Sequence, residues 1–502
     1  MKNGTVAAAS VALTLCGCVV GPNYQQPKID VPVRFNDAPQ ANVSEEAAPS
    51  DLSAWWRQFD DAILDRLITD ALSANLDLLT AASRIEQARE QELIQGAAGL
   101  PSASAMAAAA RIHSNSNPFA SLFGGSSNAS SGGGTSSGSS GSSATNLKFY
   151  SLGFDATWEI DLFGGVARNV EAAGAKTEAA IWALRDAEVT LTAEVARNYF
   201  ALREAQARIG IVNAELERQR NTLSIANARA TTGFVTYLDI NQQTAQVAET
   251  AAQIPPLEAQ MRADIDAIGV LLARTPDSVI AELTGTSGMP AVPAALPIGL
   301  PSDLLRRRPD IREAERNLAA ATAQVGAAVA QLYPKFDLIG LASFAGTSLN
   351  SLLSTKNFTD GALANITWPI FTAGRLQANV RANEAQENQA YFAYRASILK
   401  ALQDAEDALA RYGADQRRLL SLRQEIAAEN NAVTIARQQY VAGITDYLTV
   451  LNTQSTLLRA QDEATQTENA LATDLVSLYK ALGGGWTETI PTASSPVSTN
   501  PS

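Results

Sequence analysis

Residues 151–170, SLGFDATWEIDLFGGVARNV, recur 210 positions later as residues 361–380, GALANITWPIFTAGRLQANV. The same shift, without a gap, continues to match residues as far as the end of the second copy. The matched pairs are Trp158 and Trp368, Gly164 and Gly374, Asn169 and Asn379, Val170 and Val380, Gly233 and Gly443, Tyr237 and Tyr447, Leu238 and Leu448, and Leu272 and Leu482. Because a long internal period constrains the whole fold, we interpret the chain as two tandem copies of one structural unit.

Upstream of these stretches the shift becomes 233, which places Asp77 on Asp310, Ala81 on Ala314 and Pro101 on Pro334. The first copy therefore carries 23 extra residues between its proline and its tryptophan. That interval contains residues 124–143, which are nearly all Ser and Gly. Such a composition is typical of a flexible loop, so the copies differ by a loop insertion.

Alternating side chains around the two tryptophans predict strands. Between Leu147 and Leu162 an apolar residue alternates with a polar one, and the second copy repeats this pattern more weakly from Ala362 to Ile370. Period two with one apolar and one polar face is typical of a half-buried strand. Lys335 to Gly346 is predicted to be the hairpin partner in copy two, whereas the corresponding stretch in copy one, Ser102 to Ser114, is too rich in alanine for the pattern to decide.

Helices are predicted on both sides of each strand pair. Ala62–Ala98 and Ser302–Leu332 are amphipathic and rich in helix formers, and each is followed by a proline. After the strands, apolar residues keep a heptad frame, which is typical of coiled-coil packing, and Val166–Ala230 would form a helix about 100 Å long. Glycines at 233 and 443 break the pattern, and a second long helix is predicted to run back to Leu272 or Leu482.

These patterns divide the chain into six regions. We predict a signal peptide at 1–17, an N-terminal lipid-anchored segment at 18–60, a first repeat at 61–274 with its β-hairpin at about 101–162 and its helical hairpin at about 165–273, a Pro-rich linker at 275–301, a second repeat at 302–483 with the equivalent hairpins at about 334–371 and 375–482, and an irregular tail at 484–502.

The N-terminus resembles an export signal. Lys2 precedes an apolar stretch from Val6 to Leu15, which is too short to cross a bilayer as a helix. Leu15-Cys16-Gly17-Cys18 then fits a bacterial lipobox, in which cleavage before Cys18 exposes that residue for acylation, and Val19 is compatible with sorting to the outer membrane. The alternative is an ordinary signal peptide with an incidental cysteine. Since both cysteines lie in this segment, we expect no disulfide in the mature chain.

Composition excludes several classes of function. The formal net charge of −13, without a basic run, argues against nucleic acid as a partner. His113 is the only histidine, and no nucleophile, base or acid is grouped as an enzyme requires. We therefore expect no enzyme activity, no metal and no cofactor.

No apolar run beyond the signal is long enough for a membrane helix, so strands must do any crossing. Four strands per chain cannot close a barrel, since the smallest membrane barrels have about eight. Because an open sheet edge in lipid leaves backbone groups unpaired, several chains would have to join their strands into one ring. The sequence thus predicts an oligomeric barrel that continues into a long helical tube.

Four stretches carry a resemblance to a known family. They are GCVVGPNYQQP at 17–27, RRRPDIREAERNLAAA at 306–321, YVAGITDYLTVLNTQ at 440–454 and YKALGGGW at 479–486. Together with the duplication they make the chain similar to the TolC-like outer-membrane efflux channels, specifically the lipoproteins that work with resistance-nodulation-division pumps. The resemblance implies an α+β membrane protein: a homotrimer with a twelve-stranded transmembrane β-barrel, four strands per protomer, continuing into a periplasmic α-helical coiled-coil barrel. Its partners would be a periplasmic adaptor, an inner-membrane pump and outer-membrane lipid.

The resemblance also implies a closable aperture at the periplasmic hairpin tips. The matching positions are Asp446, Tyr447, Leu448 and Asn452 in copy two and Tyr237, Leu238, Asp239 and Gln242 in copy one, beside the turn glycines Gly233 and Gly443. Many relatives have Asp at the position of Asn452, so we expect packing of Leu448 and amide hydrogen bonds to dominate over charge. Asp239 and Asp446 have two open interpretations: acidic rings that favour cations, or helix caps.

The leading functional hypothesis is a passive exit duct for drugs or other small toxic compounds. The outlet of a type I protein secretion system uses the same fold and is the closest alternative. A periplasmic coiled-coil scaffold or adaptor is a different class, which leaves the paired alternating strands unexplained.

Overall fold

The computed structural model of the protein describes residues 19–36, 52–114, 145–230, 236–285, 288–292 and 301–487. The predicted signal peptide, Cys18, the Ser/Gly tract, Gly233 and the residues beyond 487 lie outside the described residues. The strands are β1 (Ser102–Ser114), β2 (Thr145–Ile160), β3 (Lys335–Gly346) and β4 (Phe358–Thr367). The helices are α1 (Ala62–Ala74), α2 (Leu76–Ala97), α3 (Gly165–Ala230), α4 (Tyr237–Ala251), α5 (Ile254–Leu271), α6 (Pro276–Leu283), α7 (Pro301–Arg307), α8 (Pro309–Ala330), α9 (Arg375–Ala442) and α10 (Tyr447–Ala481).

The order of elements confirms the α+β class and the repeated unit of helix, β-hairpin, long helix, turn and helix. The two longest helices, α3 and α9, have 66 and 68 residues and begin one residue after Gly164 and Gly374 respectively. At 1.5 Å per residue each is about 100 Å long. Within the part of the chain that the structure describes, no helix combines the length and apolar composition that a membrane crossing needs.

The four strands form one antiparallel sheet in the order β1-β2-β3-β4. The register places Phe154 opposite Ala342 and Trp158 opposite Leu338, so apolar side chains share one face. The alanine-rich stretch that the sequence left undecided is strand β1, and it pairs with β2 along its whole length. Alanine has little strand preference of its own, so β1 depends on its backbone partners. On the polar face two hydroxyl contacts add to this pairing: Ser102 with Thr157 at 2.9 Å and Ser104 with Asp155 at 2.6 Å.

The duplication persists in side-chain geometry. Trp158 donates its indole N–H to the carbonyl oxygen of Gly99 at 3.0 Å, and Trp368 donates to that of Leu332 at 3.1 Å. Both donors and both acceptors are equivalent positions under the two sequence shifts. Strand β4 ends at Thr367, before Trp368, so the alternation predicted as far as Ile370 outlasts the strand.

Three predicted helices are interrupted. Asn75 separates α1 from α2 because its side-chain oxygen accepts from the N–H groups of Asp77 and Leu78 and caps the new helix. The second long helix of copy one breaks between α4 and α5, where Pro255 and Pro256 lack the N–H groups that would continue it. Pro309 similarly separates α7 from α8.

The described residues fall into two compact units, and neither unit coincides with a sequence repeat. The first holds the sheet, residues 19–24 and the helix segments that adjoin the sheet in sequence. The second holds the remaining helices, and its core joins residues distant in sequence: Trp55 stacks on Tyr479 with ring centroids 5.2 Å apart, and Phe59 contacts Phe200 at 4.9 Å. Both copies therefore contribute to each unit.

The first unit contains a binding site for the N-terminal segment, formed around Arg168 and here called the Arg168 site. The guanidinium of Arg168, which is 2% exposed, donates to the carbonyl oxygens of Val20 and Gly21 at 3.2 and 3.3 Å. It also donates to the side-chain oxygen of Asn23 at 2.7 Å and forms an ion pair with Glu171 at 2.7 Å. Charge-assisted hydrogen bonds of this kind are stronger than neutral ones. The segment directly after the predicted lipid-bearing cysteine is therefore bound to the first turn of α3.

Two glycines allow the backbone segments at the Arg168 site to approach closely. Gly21 has φ +88°, and a Cβ there would lie 2.5 Å from Cα of Gly326. A Cβ on Gly326 would in turn lie 2.8 Å from Nε of Arg168. Only glycine allows backbone and guanidinium to approach so closely.

We expect Arg168→Met to release residues 19–23, because it removes the charged donor from three acceptors. With about 1.5–3 kcal/mol for each hydrogen bond to a charged group, amide exchange in this segment should accelerate at least tenfold by hydrogen–deuterium exchange mass spectrometry. Arg381→Met, which removes an exposed arginine of α9, is the matched control and should leave the exchange unchanged. Equal exchange in the two variants would contradict the role assigned to Arg168.

Candidate functional site at the hairpin tips

The turn of copy two is a left-handed helix end. Gly443 has φ +76°, its N–H donates to the carbonyl oxygen of Tyr440 at 3.0 Å, and the N–H of Ile444 donates to that of Gln439 at 2.9 Å. This pair of bonds is the Schellman motif, which favours glycine because it has no Cβ. The equivalent Gly233 lies outside the described residues.

The helix that follows each turn begins with a capping pair made of one threonine and one aspartate, and the order of the two residues is exchanged between the copies. At the start of α4, Thr236 is the N-cap: its hydroxyl oxygen accepts from the N–H of Asp239 at 3.2 Å, and the hydroxyl donates to that carboxylate at 2.8 Å. At the start of α10, Asp446 is the N-cap, and its carboxylate accepts from the N–H of Thr449 at 3.0 Å and from the hydroxyl at 2.7 Å. Both aspartates predicted for the aperture thus take part in helix capping.

The capping bonds also set the protonation of Asp446. Its hydrogen bonds with Thr449 lower the pKa of the carboxyl below 3.8. A lowered pKa means that the cap is fully present above pH 3.8 and is lost as the pH falls through the lower value. At neutral pH the hairpin tip therefore carries a charged carboxylate that already accepts hydrogen bonds.

Arg229 joins the ends of the two long helices and was not among the residues predicted from the sequence. It lies in the last turn of α3 and donates to the carbonyl oxygens of Tyr440 and Val441 at 2.8 and 2.7 Å, near the end of α9. Its guanidinium carbon also lies 5.5 Å from the ring centroid of Tyr440. A cation at the carbonyl end of a helix is favourable because the helix dipole is negative there. The position in the last turn was the available sequence signal.

The predicted residues differ in which way they face. Tyr237, Leu238 and Leu448 are 83%, 65% and 46% exposed, and Asn452 is also exposed. Gln242 is half-buried.

Tyr447, by contrast, is 4% exposed. Its ring packs against Tyr440 with centroids 6.1 Å apart, in a small cluster that includes Val450. Burial raises the pKa of Tyr447 to about 12, so the hydroxyl stays protonated. The side chain of Tyr447 therefore belongs to the interior of the chain, whereas that of the equivalent Tyr237 lies at the surface.

The described residues of the tips include apolar and amide side chains, capped helix ends and two capping carboxylates, and none of these is grouped in a way suited to catalysis. Among the described residues, no set of His, Cys, Asp and Glu side chains is placed to hold a metal ion. An arrangement of this kind suits a contact or closure surface.

We expect Asp446→Ala to expose the N–H of Thr449 and to accelerate its amide exchange several-fold, because the substitution removes the capping oxygen. Asp446→Asn should leave the exchange close to wild type, since asparagine caps helices about as well as aspartate. Peptide-resolved exchange over the start of α10 checks both variants. Equal acceleration by the two substitutions would show that the charge matters rather than the cap.

Comparisons with known proteins agree on one family. The model of the family described as outer membrane efflux protein matches residues 67–273 and 300–484. The chain is 33% identical to the pyoverdine export outer membrane protein OpmQ of Pseudomonas aeruginosa, covering 97% of each chain. It is 30% identical to the cation efflux system protein CusC of Escherichia coli, covering 95% of this chain and 97% of the relative. The solved structure of the outer-membrane channel OprN is similar, with a TM-score of 0.83, 32% identity and coverage of 93% of this chain and 100% of OprN. The chain therefore belongs to the outer membrane efflux protein family of TolC-like channels.

Proposed function

We propose that three copies of this chain form an outer-membrane exit duct. The observation that carries the proposal is the four-stranded sheet, in which β1 and β4 are terminal strands and one broad face is apolar. In lipid, backbone groups on such edges need partners, and three protomers would supply them by pairing β4 of one chain with β1 of the next. Twelve strands would then enclose a lumen lined by the polar face.

The long helices α3 and α9 would continue this barrel into the periplasm, where an adaptor and an inner-membrane pump are the proposed partners. The lipid on Cys18 and the outer-membrane location belong to the same proposal. The Arg168 site supports this proposal, because Arg168 binds the residues that closely follow Cys18 to the start of α3. Two signals, a barrel and an acyl chain, would then fix the protein in the membrane.

The cargo we propose is drugs or other small toxic compounds. The relatives are named for pyoverdine export and for cation efflux, which are small cargoes, and this favours small-molecule efflux over a type I protein secretion outlet. The named relatives are efflux and export proteins rather than enzymes, in line with a passive duct. A periplasmic scaffold is disfavoured by the apolar face of the sheet, which a protein surrounded by water would not leave uncovered.

The closable aperture is proposed at the hairpin tips. Leu448 and Asn452 are exposed on α10 of each protomer, so three copies brought together would meet through an apolar contact and amide hydrogen bonds. Hydrophobic constrictions close pores by excluding water. Asp239 and Asp446 remain candidates for acidic rings near this aperture.

The test of the aperture is single-channel conductance in planar bilayers for wild type and for a Leu448→Ala, Asn452→Ala double variant. We expect a small wild-type conductance that rises by about threefold or more in the double variant, because the constriction widens and becomes wet. Leu399→Ala, which shortens an exposed leucine on a different helix, α9, is the matched control and should conduct like wild type. If the protein is folded but neither wild type nor any variant forms a pore, the result would favour the scaffold hypothesis over the channel.

The oligomeric state is tested separately by native mass spectrometry of the full chain in detergent. We expect a single species of three chains that resists dissociation, because β1 and β4 pair between protomers along their lengths. A monomer that remains folded and soluble after the detergent is removed would rule out a barrel closed between chains.

A further inference from the structure

Two cations lie directly opposite each other at the loop end of the first hairpin. Arg111 on β1 and Lys148 on β2 are register partners, and both side chains are exposed. Like charges in this arrangement repel and destabilise an antiparallel pair. The hairpin is therefore less stable with these residues than with a neutral pair, unless an anion lies between them.

Apart from Asp360 on β4, the strand residues with described side chains that share this face with the pair are apolar. On β2 the positions of the same face run from Lys148 through Tyr150, Leu152 and Phe154 to Trp158. The eight residue steps from Tyr150 to Trp158 span about 26 Å along the strand, or about 20 Å of height at a tilt near 40°. This is close to the apolar band of a membrane barrel, which has aromatic residues at both margins. Lys148 is the next position beyond Tyr150, so the two cations lie at the level of the lipid headgroups.

Among the described strand residues of this face, the only carboxylate is too distant to neutralise the pair. Asp360 on β4 lies opposite Ala342, which lies opposite Phe154. It is therefore two strands from β2, about 10 Å, and six residues from the level of Lys148, about 20 Å. A separation of about 22 Å exceeds two Debye lengths at physiological salt. The described strands of one chain therefore supply no carboxylate to this pair.

We propose that Arg111 and Lys148 bind a phosphate group of the phosphorylated glycolipid that forms the outer leaflet of the outer membrane. The inference rests on the proposed function, which puts the loop end of the hairpin at the outer surface and the helices on the periplasmic side. A phosphate monoester carries close to two negative charges and three acceptor oxygens, so it satisfies both cations at once. Arginine binds such a group through two parallel N–H donors, and lysine adds a point charge.

The test measures binding of lipid A, the diphosphorylated disaccharide lipid, to the purified trimer by native mass spectrometry. Wild type is compared with an Arg111→Gln, Lys148→Gln double variant and with Lys356→Gln, which removes an exposed cation from the loop between β3 and β4. We expect the double variant to need at least tenfold more lipid A for half-occupancy, and Lys356→Gln to bind like wild type. Removing both phosphates from lipid A should weaken binding to wild type by a similar factor.

Three results would overturn the proposal: equal binding by wild type and the double variant, equal binding of dephosphorylated lipid A, or binding of phosphatidylglycerol as tight as that of lipid A. The last would indicate a general anionic surface instead. Conductance of the same preparations separates the two levels of inference. If the double variant conducts like wild type but no longer binds lipid A, the result supports the lipid site. If wild type conducts but shows no preference for phosphorylated lipid A, the lipid site is refuted while the channel function is not.

Discussion

Unpaired peptide groups at the edges of the sheet constrain the rest of this molecule. The order β1-β2-β3-β4 places β1 and β4 at opposite sides, and β1 consists mainly of alanine and serine. Such a strand contributes little side-chain packing, so main-chain hydrogen bonds have to hold it. Where water is excluded, each unmade bond costs about 1–3 kcal/mol, which makes pairing between chains a requirement for a stable membrane-embedded sheet. In the proposed trimer, the sheet is completed by pairing between chains.

The duplication explains how one chain provides two such hairpins and two helical arms. Equivalent positions keep their structural task even where the residue types change. Thr236 and Asp239 in copy one become Asp446 and Thr449 in copy two, and the hydroxyl–carboxylate bond persists at 2.8 and 2.7 Å. The requirement conserved between the copies is a capped helix start after a tight turn, and either order of the two groups meets it.

Much of this architecture could be predicted from the sequence because it depends on periodicity. The alternation around Trp158 and the heptads of α3 and α9 are local patterns that tertiary packing reinforces. The strand nature of Ser102–Ser114 could not be predicted, since alanine satisfies both helix and strand patterns and only the partner strand decides. The breaks in the helices were missed although Pro255 and Pro256 marked one of them.

The candidate site was predictable only as a set of positions. Glycine at 443 and the capping signal of Asp446 can be recognised in the sequence, because turn and cap chemistry is local. The burial of Tyr447 and the exposure of Tyr237 could not be, since equivalent residues of a repeat have the same neighbours in sequence and differ only in tertiary contacts. Arg229 was missed for the same reason: its acceptors lie more than 200 residues away.

The two copies also differ in the continuity of the helix that follows the turn. In copy one the returning arm is divided between α4 and α5 at the proline pair, whereas α10 in copy two is continuous over 35 residues, with Thr465 and Gln466 at the equivalent positions. Arg229 then ties the end of α9 to α3, while its counterpart Gln439 carries no charge. Any displacement of the α9–α10 turn must break two charge-assisted bonds or carry α3 with it. Movement of the turn in copy two is therefore opposed by the end of α3 in copy one.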